Sequence, residues 1–207
     1  MKGLGFAVGT EPLSSIFARY GVDVLASDLA QGDFWAETAQ HASSRDALFV
    51  PRLIDRAEFD ARVSFQPVDM ADLSGLPSDT YDFLWSSCAL EHIGLLNDGL
   101  DFVVNAMRLL KPGGIAVHTT EFNVASNDET VTDRHMCVYR KRDFEELDYR
   151  LRRIRCGMEP MDMTPGTHPH DLNYDTVPYF QSGKMHLKLE MHGHIATSCL
   201  IIVHKGN

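Results

Sequence analysis

The chain lacks the cysteine patterns that would define a metal knuckle or a disulfide scaffold. Its 207 residues hold four cysteines, Cys88, Cys137, Cys156 and Cys199, all far apart and none in a C-x-x-C pair. Widely separated thiols suit a reducing compartment, so a cytoplasmic location is expected. No apolar run is long enough to span a bilayer, and the first residues form a glycine-bearing strand instead of a basic leader with an apolar core. Positive charge is also scarce: 19 Lys and Arg stand against 29 Asp and Glu, for a formal net charge of −10. Such a field repels polyphosphates and acidic lipid surfaces, which argues against a nucleic-acid or membrane partner. The one basic stretch, Arg140 to Arg142 and then Arg150, Arg152, Arg153 and Arg155, is broken by Glu145, Glu146 and Asp148 and reads as a solvated helix face. Also absent is the G-x-G-x-x-G loop of dinucleotide-binding enzymes, because Ala7 and Glu11 stand where glycines would let a pyrophosphate approach.

What is present is an alternation of short apolar runs with helical patterns. Strands are expected over Leu4 to Val8, Val22 to Asp28, Val63 to Val68, Tyr81 to Ser87 and Ile115 to Thr120, with helices over Leu13 to Tyr20 and from Asn97 to Leu110. Between Gln31 and Asp60 the pattern is mixed, helical in character, with no clean strand. Beyond Glu121 come a polar loop, an amphipathic helix near Arg142 to Arg153 and a loop rich in Pro, Gly and His. Two strand-like runs, Met185 to Met191 and Ile195 to Val203, flank His192-Gly193-His194 as a hairpin. Alternating strands and helices imply an α/β fold around a parallel sheet, and the length suits one domain over 1–207.

Open α/β sheets bind ligands beyond the carboxyl ends of their strands, and three weak signals fall there. Gly5 to Leu13 (GFAVGTEPL) offers Ala7 and Gly9 for close backbone approach, with Thr10 and the Glu11 carboxylate on the same loop; an ordinary strand-to-helix turn would read alike. Asp28, followed by Leu29, sits about 20 residues on, where an acidic residue takes a ribose diol; the plainer reading is a solvated loop aspartate. Asp69 and Met70 follow the third strand, where a carboxylate accepts from an adenine amine and an apolar side chain covers the ring; a helix cap would also explain Asp69.

These segments, with VDVLASDL, PVDMADL, YDFLWSSCALEHI and LLKPGGIAVHTTEF, resemble in order and spacing the class I S-adenosylmethionine-dependent methyltransferases over roughly residues 3 to 122. The resemblance implies a Rossmann-like three-layer sandwich with a mostly parallel seven-stranded sheet and a C-terminal antiparallel hairpin. It implies S-adenosyl-L-methionine as cofactor, with Ala7 and Gly9 along the methionine part, Asp28 on the ribose, Asp69 and Met70 beside adenine, and Ser87 with Cys88 under the sulfonium. Two departures stand out: Gly5 occupies the place of the family's usual acidic residue, and the helical cover that precedes the first strand in most relatives is missing here.

Methyl transfer needs alignment more than acid or base groups. A hydroxyl acceptor is helped by a base, and His92, Glu121 and His118 all fall near the active edge. His168, His170, His186, His192 and His194 lack ligand spacing, so no metal is expected. The expected acceptor is a small molecule or a sugar of a glycoconjugate, methylated on oxygen. A catalytically inactive partner subunit of this fold and a nucleotide-binding oxidoreductase are the alternatives, and a homodimer or association with a partner subunit is expected.

Overall fold

The computed structural model describes residues 1–29, 41–181 and 183–206. The expectation for Gln31 to Asp60 therefore falls partly outside the described residues; from His41 onward it contains a short 3₁₀ turn, Arg45–Leu48, and a helix, Arg56–Arg62.

The first half builds β1 (Lys2–Phe6), α1 (Leu13–Arg19), β2 (Asp23–Asp28), α2 (Arg56–Arg62), β3 (Val63–Pro67), β4 (Tyr81–Ser87), α3 (Leu96–Ala106) and β5 (Leu110–Asn123). The second half adds α4 (Lys141–Arg153), β6 (Cys156–Met158), β7 (Leu189–Met191) and β8 (His194–Lys205). The strands form an eight-stranded, mostly parallel sheet in the order β3-β2-β1-β4-β5-β8-β6, with β7 pairing antiparallel to β8. The expected hairpin is present, and β6 is a strand more than the seven expected.

Residue contacts divide the chain into two compact units, Met1–Ser87 with Asn105–Val117 and Val203–Asn207, and Cys88–Val104 with His118–Ile202. In the first unit β1 pairs in parallel with both β2 and β4, so strand order reverses direction beside β1. A crevice opens at such a reversal, and the carboxyl ends of β1 and β4 border it. The strands there are apolar on both faces, as parallel strands covered by helices must be: Leu4, Phe6, Ala26 and Leu84 are wholly buried. Phe17 packs edge-on to both Phe83 and Trp85, with ring centroids 5.0 Å apart in each case, which clamps α1 onto β4.

The second unit has its own apolar cluster of Val131, Val138, Met191 and Ala196. Its helix α4 buries Phe144, Leu147 and Leu151 and directs its arginines to carboxylates: Arg140 to Asp143 at 2.8 Å, Arg152 to Asp148 at 2.8 Å, and Arg150 to Asp101. The basic stretch is thus largely neutralised by local acids, as a solvated face should be.

Candidate active site

After Phe6 the chain turns through two left-handed residues, Ala7 (φ 46°) and Gly9 (φ 53°). A left-handed alanine costs roughly 1 kcal/mol, so neighbouring bonds must hold it. The amide of Val8 donates to the Ser27 carbonyl (3.1 Å) and that of Gly9 to Asp28 Oδ2 (3.1 Å). Asp28 also accepts from the amides of Ala42 (3.0 Å) and Leu29 (2.9 Å), and its own carbonyl accepts from the amide of Val68 (2.9 Å). The segments that follow β1, β2 and β3 therefore converge on one residue, those after β1 and β2 on its carboxylate and that after β3 on its carbonyl. A carboxylate offers about four acceptor positions, so three amides leave room for a ligand hydroxyl. His41 completes the surroundings: its Nε2 lies 2.8 Å from the Leu29 carbonyl and 3.8 Å from Asp28 Oδ1.

Asp69 is exposed and turns the chain by accepting from the Ala71 amide (2.8 Å), while Met70 beside it is buried. Thr10 is exposed on the first loop. Glu11 reaches across to β4, where its carboxylate accepts from Trp85 Nε1 at 2.9 Å. Burial raises the Glu11 pKa, opposed by hydrogen bonds from Trp85 and Ser87. The Trp85 indole also accounts for Gly5: a Cβ there would lie 2.3 Å from Trp85 Cζ2 and 2.5 Å from Val8 Cγ1. No side chain fits at that position, and the carboxylate on this side comes from Glu11 instead.

The second unit opens with Cys88, an exposed residue in the left-handed conformation (φ 47°), a strain of about 1–3 kcal/mol for a residue with a Cβ. Its amide donates to Thr119 Oγ1 (3.0 Å) and its Sγ lies 3.5 Å from the same oxygen and 3.9 Å from Ser198 Oγ. Below it two carboxylates are buried, Glu91 at 1% exposure and Glu121 at 9%. Thr120 Oγ1 donates to Glu91 Oε2 (2.7 Å) and Ser198 Oγ to Glu121 Oε1 (3.1 Å). Burial, reinforced by the charge of Glu121, pushes Glu91 up to about 7; burial also raises Glu121, opposed by Ser198 and by the charge of His186.

His186 and its partner Asp175 carry no local sequence signal as a pair. Asp175 is fully buried, and His186 Nδ1 lies 2.8 Å from its Oδ2 while the imidazole stacks on Phe180 with centroids 3.9 Å apart. The buried carboxylate on Nδ1 and the Phe180 ring fix the orientation of the imidazole.

Of the three candidate bases, Glu121 joins this cluster. His92 is half-buried and its Nδ1 lies 2.7 Å from the His135 carbonyl, so it braces the loop around residue 135. His118 corrects the expectation of an active-edge base: alternation along β5 turns it inward, where it is fully buried edge-on to Phe102. Burial pushes its pKa down to about 4. The unfolded chain then binds this proton below about pH 6.5 and the folded chain does not, so stability falls as pH drops from 6.5 towards 4. Between pH 7 and pH 5 this group contributes a loss of about 2 kcal/mol. Urea midpoints of the wild type should accordingly drop more steeply over that interval than those of His118→Gln; parallel pH slopes would contradict the assignment.

The sequence profile described as "Methyltransferase domain" matches residues 4–118. No curated protein matches the chain by sequence. Among solved structures it is similar to an S-adenosylmethionine dependent methyltransferase from Mesorhizobium loti, at 14% identity over 99% of this chain and 90% of that one, with a TM-score of 0.58. It is also similar to geranyl diphosphate C-methyltransferase from Streptomyces coelicolor A3(2), at 15% identity over 100% and 72% (TM-score 0.61). A third likeness is to phosphoethanolamine N-methyltransferase 2 of Haemonchus contortus, at 16% identity over 100% of this chain and 49% of that one (TM-score 0.60). Identities this low establish the shared fold alone.

Proposed function

The chain belongs to the methyltransferase-domain family, and from that premise we propose that it transfers a methyl group from S-adenosyl-L-methionine to a hydroxyl of a small molecule or of a glycoconjugate sugar. The cofactor supplies a methyl carbon already activated by its sulfonium. What remains for the protein is to hold donor and acceptor in line and to exclude water.

The observation that carries the reading is the convergence on Asp28, with the Gly9 amide at 3.1 Å and the Val68 amide at 2.9 Å from its atoms. In it Ala7, Gly9 and Thr10 line the methionine part, Asp28 and Leu29 receive the ribose, and Asp69 and Met70 flank adenine. Glu11, anchored by Trp85, faces the amino-acid ammonium in place of the acid missing at Gly5, and Ser87 with Cys88 lies under the sulfonium. The acceptor side is Glu121, with His186 near it and His92 bracing the loop around His135. Neighbours of this fold are named for carbon, nitrogen and oxygen acceptors alike, so the oxygen preference rests on this chain's buried acids, which suit a hydroxyl losing its proton. No helix among the described residues is long and apolar enough to cross a membrane, and four cysteines outside any disulfide suit a cytoplasmic enzyme, alone, as a homodimer or with a partner subunit.

Calorimetric titration tests the donor: one equivalent of S-adenosylhomocysteine should bind in the micromolar range while NAD does not. Transfer of labelled methyl across a panel of hydroxylated metabolites and sugars tests the acceptor. Binding of NAD alone would make the chain an oxidoreductase, and binding of neither would make it an inactive partner module.

A further inference from the structure

Cys88 Sγ, a carboxylate oxygen of Glu91 and a carboxylate oxygen of Glu121 all lie within 4.8 Å of one another. Donors around a tetrahedral ion with bonds of about 2.0–2.3 Å stand roughly 3.3–3.8 Å apart, so small side-chain rotations would close this set on a single centre. A second observation points the same way. Glu121 is nine-tenths buried, and its Oε2 has no hydrogen-bond partner among the described residues. Leaving a carboxylate oxygen buried without a partner is unfavourable, and no Lys or Arg among the described residues forms an ion pair with Glu91 or Glu121.

We propose that Cys88, Glu91 and Glu121 bind one divalent cation of borderline softness, with Zn²⁺ the best match to one sulfur and two carboxylates. The sulfur decides between an inorganic cation and an organic ammonium. A thiol is a weak acceptor that adds little for an ammonium, whereas a thiolate is a strong ligand for zinc. Ser198 Oγ, 3.1 Å from Glu121 Oε1 and 3.9 Å from Cys88 Sγ, supplies a hydroxyl at the rim of the set. Three protein ligands leave a coordination position open, and the exposure of Cys88 gives it a path to solvent. In an enzyme of the kind proposed above, that position would take an oxygen of the acceptor. The role rests on the methyltransferase reading; the binding of the ion does not.

The test uses untagged full-length protein stripped with a chelator and titrated with Zn²⁺ in competition with a chromophoric chelator. One equivalent should bind. Cys88→Ser and Glu121→Gln should each weaken it at least tenfold, and His168→Ala, at a surface histidine, should leave it unchanged. Circular dichroism and urea midpoints establish that each variant is folded. Co²⁺ in place of Zn²⁺ should give a near-ultraviolet thiolate charge-transfer band in the wild type that Cys88→Ser lacks. Failure to bind Zn²⁺, or binding that Cys88→Ser and Glu121→Gln leave unaltered, would overturn the proposal. Zinc bound at these residues in a protein that does not bind S-adenosylhomocysteine would leave the ion site standing and remove the methyltransferase reading.

Discussion

Asp28→Asn should weaken S-adenosylhomocysteine binding at least about a hundredfold. The native carboxylate stands at the end of β2 and accepts from the amides of Gly9, Leu29 and Ala42. Hydrogen bonds to a charged group contribute about 1.5–3 kcal/mol each, and a hundredfold change corresponds to about 2.7 kcal/mol. Asparagine removes the charge and turns one acceptor into a donor that faces backbone N–H groups, so both the ribose contact and the seat of the glycine loop suffer. Folding should weaken as well, because a buried amide left without its acceptor costs about 1–3 kcal/mol. Calorimetry with S-adenosylhomocysteine at a temperature well below the variant's unfolding transition separates the two effects. Affinity within threefold of the wild type in a folded variant would remove Asp28 from the cofactor site.

Glu121→Gln should lower kcat by about a hundredfold or more, because it removes the negative charge that assists the acceptor hydroxyl in losing its proton, directly or through the cation it ligates, while S-adenosylhomocysteine affinity stays within about threefold. The substitution keeps the shape of the side chain and a hydrogen bond with Ser198, but removes the charge whose free oxygen is buried. Single-turnover methyl transfer measured beside cofactor titration reads the split. A variant that loses cofactor affinity and turnover together would place Glu121 in donor binding, and an unchanged kcat would take it out of the reaction.

The positions proposed for the donor side were legible because their signals are local. Strands β1, β2 and β4 are short, mostly buried runs, β3 is an edge strand with only Val63 buried, and the chemistry-bearing residues fall at or within three positions of their carboxyl ends. Ala7, Gly9, Asp28 and Asp69 could be located by counting from those runs. The acceptor side was not, because its pairings are distant in sequence: Glu91 meets Thr120 and Glu121 meets Ser198, partners 29 and 77 residues apart. Glu91 hides beside His92, whose chemistry is the more conspicuous, and Asp175 pairs with His186 inside a loop that has no periodicity. Trp85 explains Gly5 only once β1 and β4 are known to be neighbours. Strand β6 has three residues, too few to show alternation, and β5 runs from Leu110 through Lys111-Pro112-Gly113-Gly114, residues that read as a turn.

A crystal structure of the chain with S-adenosylhomocysteine decides whether one ligand spans the carboxyl ends of β1, β2 and β3. The ribose hydroxyls should lie on Asp28, the adenine beside Asp69 and Met70, and the amino-acid end against the Ala7 to Glu11 loop. Density for the ligand away from the carboxyl ends of β1, β2 and β3, with Asp28 contacting only protein amides, would contradict this arrangement.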